Sequence, residues 1–468
     1  LRAVARRLLR DFARGFQRFI TTGRDDKRRN DMRIAMVSEH ASPLADLGGV
    51  DCGGQNVYVR HVARQLARLG HRVDVFTRRE RPWDPEVVPF DSGCRVIHVP
   101  AGPAAVLPKE ALLPHMHAFG RHLLNHCARA QASGDAYDVI HANFFMSGLA
   151  SLAASTRLHL PLVMTFHALG RVRRLHQGSA DGFPDARFAI EETLVQRADR
   201  VIAECPQDQA DLETLYRARP EQIDVVPCGF DAAEFAPIDR AEARRRLGVP
   251  ADAFVVLQLG RMVARKGVDN VIEAIGKLPP DARKRVRLYV VGGNTVAPDV
   301  AATPELGRLQ AIAESAGVSA QTTFVGKRGR ADLRAWYSAC DVFVSTPWYE
   351  PFGITPVEAM ACGRAVIGAD VGGIRSTVRH ERTGFLVPPK DPQALAARLL
   401  QLMQQPELCR ELGQAGLVRA RMLYTWLGVA GQLERAYLKA IDYHARAMGR
   451  MTDATPSANA AALAGLAA

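Results

Sequence analysis

The 468-residue sequence lacks the marks of several large protein classes. No stretch approaches the roughly 20 consecutive apolar residues that a membrane-spanning helix needs. No continuous apolar segment with a small-residue cleavage site stands near the first residue, so no secretory signal is read. The eight cysteines, at 52, 94, 127, 205, 228, 340, 362 and 409, are scattered, with no CxxC pair and no clustered histidines. That argues against a zinc centre and a disulfide scaffold and suits a reducing compartment, so a cytoplasmic location is expected. No basic stripe interleaved with aromatics occurs, which argues against a nucleic-acid partner.

What is present is the composition of an ordinary globular enzyme, 47% hydrophobic and 24% charged. At about 150 residues per domain, the length predicts two or three domains. The net charge of +12 is uneven, since residues 1–31 hold ten Lys and Arg against four Asp, half of the excess. Within this leader, Leu1, Val4, Leu8, Phe12, Phe16 and Phe19 recur at helical steps with arginines opposite. Residues 1–20 therefore read as a basic amphipathic helix, a candidate for peripheral contact with an anionic membrane. The tail, 446–468, reads as disordered.

Between these ends, short apolar runs alternate with helical segments. Arg33–Val37, Val73–Phe76, Val96–Val99, Val139–Ala142, Leu162–Phe166, Val201–Ala203 and Asp224–Val226 read as buried strands. Gln55–Leu69, Lys109–Ala130 and Ala186–Ala198 read as helices among them. A proline- and glycine-punctuated stretch, Pro227–Pro237, is the candidate linker. A second alternation follows, with strands Phe254–Leu259, Arg287–Val291, Thr323–Val325, Val342–Ser345, Ala365–Gly368 and Gly384–Val387. The pattern predicts an α/β protein with two Rossmann-like doubly wound domains, 32–236 and 237–424, facing a cleft where strand carboxyl ends meet. A last helix, 425–445, is expected to pack back across the hinge.

Four segments carry candidate chemistry. The richest is VFVSTPWYEPFGITPVEAMACG, residues 342–363, in which a strand leads to Glu350 and Phe352-Gly353 opens a helix carrying Glu358. Backbone N–H groups at a helix start cradle phosphate oxygens, and glycine allows close approach. The two carboxylates would flank that anion and accept bonds from neutral hydroxyls. The second, GRMVARKG at 260–267, places Arg261 and Lys266 in a glycine-bounded loop after a strand, a pairing suited to a diphosphate. The third, GGVDCGGQ at 48–55, opens a helix with Gly53, Gly54 and Gln55. It is not a dinucleotide fingerprint, because no acidic residue ends the second strand. The fourth is His167, at the end of a strand whose carboxyl end faces the cleft.

Together these segments resemble the retaining nucleotide-sugar glycosyltransferases of GT-B type, family 4-like, over roughly Arg33 to Tyr443. The likeness is greatest to sucrose-phosphate synthases, sucrose synthases and the inositol-phosphate N-acetylglucosaminyltransferase of mycothiol synthesis. The resemblance implies transfer of a hexosyl unit from a nucleotide diphosphate sugar, UDP-glucose-like, to a sugar or sugar phosphate. Arg261 and Lys266 would bind the diphosphate and Glu358 the ribose. Glu350, Phe352, Gly353 and Ile354 would meet the sugar and phosphate, His167 the transferred sugar, and Gly54 a phosphate through its amide. His167, Glu350, Arg261 and Lys266 are the implied catalytic set. Gly53, Gln55, Lys109 and Arg187 are the implied acceptor contacts.

Where other members offer the acceptor phosphate a tyrosine and a Thr or Ser hydroxyl, this chain has Phe144 and Ala168, which cannot donate. Another sugar phosphate and an unphosphorylated sugar both stay open as acceptors. No DxD triplet occurs, so no metal or other cofactor is expected. The rival readings are a nucleotide-sugar epimerase on the same architecture and a non-catalytic protein that uses its basic leader on membrane or nucleic acid.

Overall fold

A computed structural model describes residues 31–45 and 53–453. The expected leader helix, the 46–52 part of the glycine loop and the tail from 454 onward lie outside the described residues. The first sheet contains β1 (Arg33–Val37), β2 (Arg72–Arg78), β3 (Val87–Asp91), β4 (Cys94–Val99), β5 (Val139–Asn143), β6 (Leu162–Thr165), β7 (Arg200–Ala203) and β8 (Ile223–Val225). The second contains β9 (Phe254–Leu259), β10 (Val286–Val291), β11 (Thr322–Gly326), β12 (Val342–Ser345), β13 (Ala365–Ala369) and β14 (Gly384–Val387).

Helices α1 (Gly54–Arg68), α2 (Met116–Ala132), α3 (Phe145–Leu158), α4 (Gly170–Gln177), α5 (Ala186–Arg197) and α6 (Pro206–Tyr216) accompany the first sheet. After the linker come α7 (Arg240–Leu247), α8 (Val268–Gly276), α9 (Pro280–Arg285), α10 (Pro304–Ser315), α11 (Arg330–Ala339), α12 (Ile354–Ala361) and α13 (Gly372–Thr377). The chain closes with α14 (Pro392–Gln404), α15 (Pro406–Leu423) and α16 (Trp426–Asp453). Among the described residues, no helix is long and apolar enough to cross a membrane.

The strand orders are β3-β4-β2-β1-β5-β6-β7-β8 and β11-β10-β9-β12-β13-β14. Helices covering both faces of a parallel sheet demand strands that are apolar throughout, and β1, β5, β12 and β13 are buried at every position. Strand order reverses between β1 and β5 and again between β9 and β12. Crevices open at those reversals, outside the strand carboxyl ends.

Three features differ from the sequence expectation. The edge strand β3 pairs antiparallel with β4 and contains Pro89, whose missing N–H is tolerated at an edge. The helix expected from Lys109 begins at Met116, because Pro108 and Pro114 divide residues 109–115 into two 3-10 turns. The last helix continues to Asp453, through the first residues of the expected tail.

The chain crosses between the sheets twice, and the crossings are bonded to each other. Phe230 N donates to Tyr424 O at 2.8 Å, and Trp426 N donates to Phe230 O at 3.3 Å. Gly229 makes this possible, since a Cβ there would lie 2.9 Å from both Trp426 Cδ2 and Tyr424 O. Helix α16 then packs on α1 and the first sheet, as its amphipathic pattern predicts. Tyr437 OH lies 2.7 Å from His141 Nδ1, Lys439 Nζ 2.6 Å from Asp224 Oδ1, and His444 Nδ1 3.0 Å from Asp199 Oδ1.

Two buried histidines at this junction are held neutral. His141 sits between two hydroxyls, Tyr437 and Thr165, which suits one donating and one accepting nitrogen. Burial pushes its pKa down to about 3. His61 stacks on Trp426 with ring centroids 5.4 Å apart, and burial, aided by Arg330, lowers it to about 3 as well. Below the ordinary value of about 6.5 the unfolded chain takes up these protons and the folded chain does not, so stability falls with pH. Each histidine adds a slope of about 1.4 kcal/mol per pH unit between about pH 6 and pH 4. Denaturant midpoints measured at pH 7 and pH 5 should show this loss, and His61→Gln should make the fall shallower by one proton.

Candidate active site

The loops after β9 and β12 bring the donor-side residues together. Residues Gly260–Gly267 leave β9, and a 3-10 turn, Ala264–Lys266, aims Arg265 and Lys266 at the loop that follows β12. Lys266 Nζ is hydrogen-bonded to Glu350 Oε2, and Arg265 NH1 lies 3.9 Å from the same oxygen. Arg265 also lies over the Tyr349 ring, 5.3 Å from its centroid. Burial lowers the Lys266 pKa, and Arg265 and Arg261 add to that against the pull of Glu350. Burial tends to raise the Glu350 carboxyl, but Lys266 and Arg265 outweigh it and hold it below the usual range. The Glu350 carboxylate is thus shared between two cations, while Arg261 adds further positive potential.

Backbone packed against backbone sets this geometry. Gly267, at φ +67°, faces the Thr346 carbonyl, and a Cβ there would stand 2.0 Å from its oxygen. Gly372, at φ +43°, faces the Glu350 carbonyl at the same 2.0 Å. A Cβ on Gly373 would meet Phe352 Cα at 2.3 Å, and the Gly373 amide donates to Glu350 O at 3.0 Å. Gly353, at φ +89°, caps α12, leaving the first amides of that helix at the cleft.

Glu358 lies deeper, on the inner face of α12, only 2% exposed. Tyr337 OH donates to its Oε2 at 2.9 Å, and Arg330 NH1 stands 3.0 Å from its Oε1. Burial raises its pKa against the opposing pull of Arg330 and Tyr337. Arg330 also binds Glu234 of the linker, so a charged chain runs from α12 to the crossing between the sheets. Nearby, ligand atoms of His61, Asp231 and Glu234 lie within 4.8 Å of one another and could hold a metal ion, although Arg330 already occupies Glu234.

On the facing side, Gly54 opens α1 and meets Ile354 across the cleft. A Cβ on Gly54 would be 3.4 Å from Ile354 Cδ1. The Gly53 amide is taken by Asn56 Oδ1 at 3.1 Å, and Gln55 Nε2 donates to Ser38 Oγ and Asn143 O at 3.3 and 3.2 Å. His167, at φ +57°, is fixed through both ring nitrogens. Its Nδ1 lies 2.8 Å from Glu204 Oε1 and its Nε2 3.0 Å from Asn143 Oδ1. Asn143 ends β5, beside the reversal in strand order, and Glu204 follows β7, two strands further along, so a place at a strand carboxyl end is the signal by which the sequence could have disclosed both. Arg265 was equally legible beside Lys266, and Gly372-Gly373 as a glycine doublet after a strand.

Between the lobes, near Glu350 and Ala168, lies a cavity of about 250 Å³. Neither Lys109 nor Arg187 lines it. Lys109 is partly buried in the turn before α2, 4.0 Å from Glu110. Arg187 is 1% exposed, ion-paired to Glu191 at 2.7 Å, and donates to the Ala168 carbonyl.

A site set between the carboxyl ends of two doubly wound sheets, with cations on one wall and a fixed histidine on the other, is the architecture of GT-B-type glycosyltransferases. Residues 239–419 match the family model described as glycosyl transferases group 1, and residues 52–234 that described as glycosyltransferase family 4. The chain belongs to this family of glycosyltransferases. It is 36% identical over 420 residues to a D-inositol 3-phosphate glycosyltransferase of Thermobispora bispora, covering 89% of this chain and 96% of that protein. A protein of the same name from Geodermatophilus obscurus is 37% identical over 438 residues, covering 93% and 95%.

Among solved structures, the sucrose-phosphate synthase of Thermosynechococcus elongatus is 34% identical with a TM-score of 0.78, covering 87% of this chain and 98% of that one. Anabaena HepE in complex with UDP and glucose shares the fold at 23% identity and a TM-score of 0.65, covering 86% and 98%.

The glycine contacts make a direct prediction. In Gly372→Ala the added methyl group must push the Glu350 backbone aside, at a strain cost of about 1–3 kcal/mol. The variant is expected to fold, with a lowered melting temperature, and to lose most of its transferase turnover. Ala301→Gly, on an exposed turn, is the matched control and should change neither.

Proposed function

We propose that the chain is a retaining hexosyltransferase that uses a nucleotide diphosphate sugar of the UDP-glucose type and delivers its sugar to a hydroxyl of a sugar or sugar phosphate. The observation that supports this best is the Glu350 carboxylate shared by Lys266 and Arg265, beside the open amides of α12. An incoming diphosphate would take up the cationic side of that pair, freeing Glu350 to accept from sugar hydroxyls. The presence of UDP and glucose in the Anabaena HepE complex, on the same fold, is in keeping with such a donor.

In this reading Arg261, Lys266 and the Gly54 amide hold the diphosphate, with Gly353 and Ile354 at the α12 entrance. His167 meets the sugar, held in place by Glu204 and Asn143. The acceptor oxygen forms its bond to the anomeric carbon on the face from which the diphosphate oxygen departs. The departing phosphate oxygen takes the hydroxyl proton, so no separate protein base is required. Lys266 and Arg261 stabilise the negative charge that builds up on the leaving group, which is the charge-directed part of catalysis. Glu358 reaches a ribose only by exchanging part of its bond to Arg330 or Tyr337.

A panel of UDP-, ADP- and GDP-sugars tests the donor, because a bound donor raises the melting temperature. UDP-glucose is expected to give the largest shift, and no shift with any nucleotide sugar would rule the reading out. Lys266→Ala, Glu350→Gln and His167→Ala are each expected to reduce kcat by roughly a hundredfold or more. Proton NMR of the product from an α-linked donor should show an α-anomeric linkage; a β-linkage would exclude retention.

A further inference from the structure

Two of the relatives, the D-inositol 3-phosphate glycosyltransferase and the sucrose-phosphate synthase, are named for phosphorylated polyhydroxyl compounds, and a phosphate needs a cation that can turn to it from its resident partner, as Lys266 can from Glu350. Among the described residues on the acceptor side of this cleft, each of Arg171, Arg173, Arg174 and Arg187 is paired with a carboxylate, and within the Arg187 guanidinium only NH1 is buried without a hydrogen-bond partner. Arg187 is buried in a cage of three phenylalanine rings, its guanidinium 5.0 Å from Phe144, 4.7 Å from Phe145 and 4.8 Å from Phe183. Its charge is met by Glu191, which is itself fully buried and accepts the Gly170 amide at 3.0 and 3.1 Å and the Tyr216 hydroxyl. On α4, Arg173 pairs with Asp181 at 2.8 Å, Arg174 with Asp185 at 2.7 Å, and Arg171 with Glu192.

The cavity between the lobes tells the same story from its lining. Carboxylates of Asp208, Asp211, Glu350 and Asp370 face it, with the rings of Trp348 and Tyr349. The one arginine among its described lining residues, Arg375, is bound to Asp370 Oδ1 at 2.6 Å. Its histidine, His176, is stacked on Tyr349 with centroids 4.9 Å apart, and burial lowers its pKa, which keeps it neutral. The carboxylates are largely engaged rather than bare charges: Glu350 by Lys266, Asp370 by Arg375, and Asp211 by the Gln207 amide at 2.9 Å. Burial together with Glu204 raises Asp208 to about 8, so at neutral pH it carries a proton. Such a lining offers oxygen acceptors to hydroxyl groups and flat rings to the C–H face of a sugar, and its described residues present no uncompensated cation to a phosphate.

Building on the glycosyl-transfer reading above, we propose that the acceptor is an uncharged polyhydroxylated compound, a free sugar or polyol, and that phosphorylated acceptors are excluded. Arg187 is then a packing residue that shapes the wall through Phe144 and Ala168, and Glu191 is what withdraws its charge from the cleft.

The test uses the full chain with whichever nucleotide sugar raises its melting temperature most, and three matched acceptor pairs: D-fructose with D-fructose 6-phosphate, D-glucose with D-glucose 6-phosphate, and myo-inositol with inositol 3-phosphate. Nucleotide release and product mass report transfer, and saturation-transfer NMR in the presence of UDP reports acceptor binding. The expected result is that a neutral member binds and is glycosylated with kcat/KM at least about tenfold above its phosphate. A phosphorylated member used as well as or better than its neutral partner would overturn the inference and leave the transferase reading intact. Absence of binding by every neutral member would also overturn it. No melting shift with any nucleotide sugar and no nucleotide release with any acceptor would overturn the transferase reading itself.

Discussion

The loop that carries Glu350 is held by direct contact of main chain on main chain. Gly372 and Gly373 press against its Glu350 and Phe352 backbone, and Gly267 presses on Thr346 just upstream. Side chains would keep these segments apart by the width of a methyl group, and the ion pair between Lys266 and Glu350 could not close. Everything on the donor face follows from that approach. The 3-10 turn at Ala264–Lys266 can present its two cations to one carboxylate, and α12 can begin at the cleft with its first amides facing out. Positive φ at Gly267, Gly353 and Gly372 is the backbone requirement that reserves these positions for glycine.

The two lobes are joined by a crossing that is also tied to the donor helix. Glu358 on α12 meets Arg330, and Arg330 meets Glu234 in the linker. A few residues away, Gly229 and Phe230 pack on Tyr424 and Trp426, while His61 of α1 stacks on Trp426. Hinges in two-lobed enzymes are a few loop or element-terminal residues that absorb the change in backbone angle. Here those residues sit in one continuous set of contacts with a carboxylate of the donor wall, so the position of α12 and the set of the crossing are not independent.

Much of the architecture was legible in the sequence because parallel strands covered on both faces must be apolar throughout. Thirteen of the fourteen described strands coincide with short, largely apolar runs of the sequence. The exception, β3, alternates and contains a proline, which only an edge position explains. The motif residues Lys266, Glu350, Gly54 and Ile354 are brought together from separate segments, as their places at strand ends and helix starts imply. What the sequence could not convey is partnership. Arg187 looks like an available cation until Glu191, one helical turn on, and three phenylalanines from two other segments enclose it. Glu358 looks open to a ligand until Arg330 and Tyr337 reach it from α11. The i,i+4 step from Arg187 to Glu191 could have been flagged from helical spacing, but the ring cage and the partners of Glu358 depend on tertiary distance.

The return of α16 to the first sheet has a consequence for how the chain is made. Residue 141 must wait for residue 437, which lies 296 positions further on. At about 5–20 residues per second, the first lobe stands on the ribosome for roughly 15–60 s without the hydroxyl that completes its core histidine. Asp199 and Asp224 likewise wait for His444 and Lys439. The amino-terminal lobe is therefore finished last, although it is synthesised first, and the closing helix acts as the fastener that ends assembly.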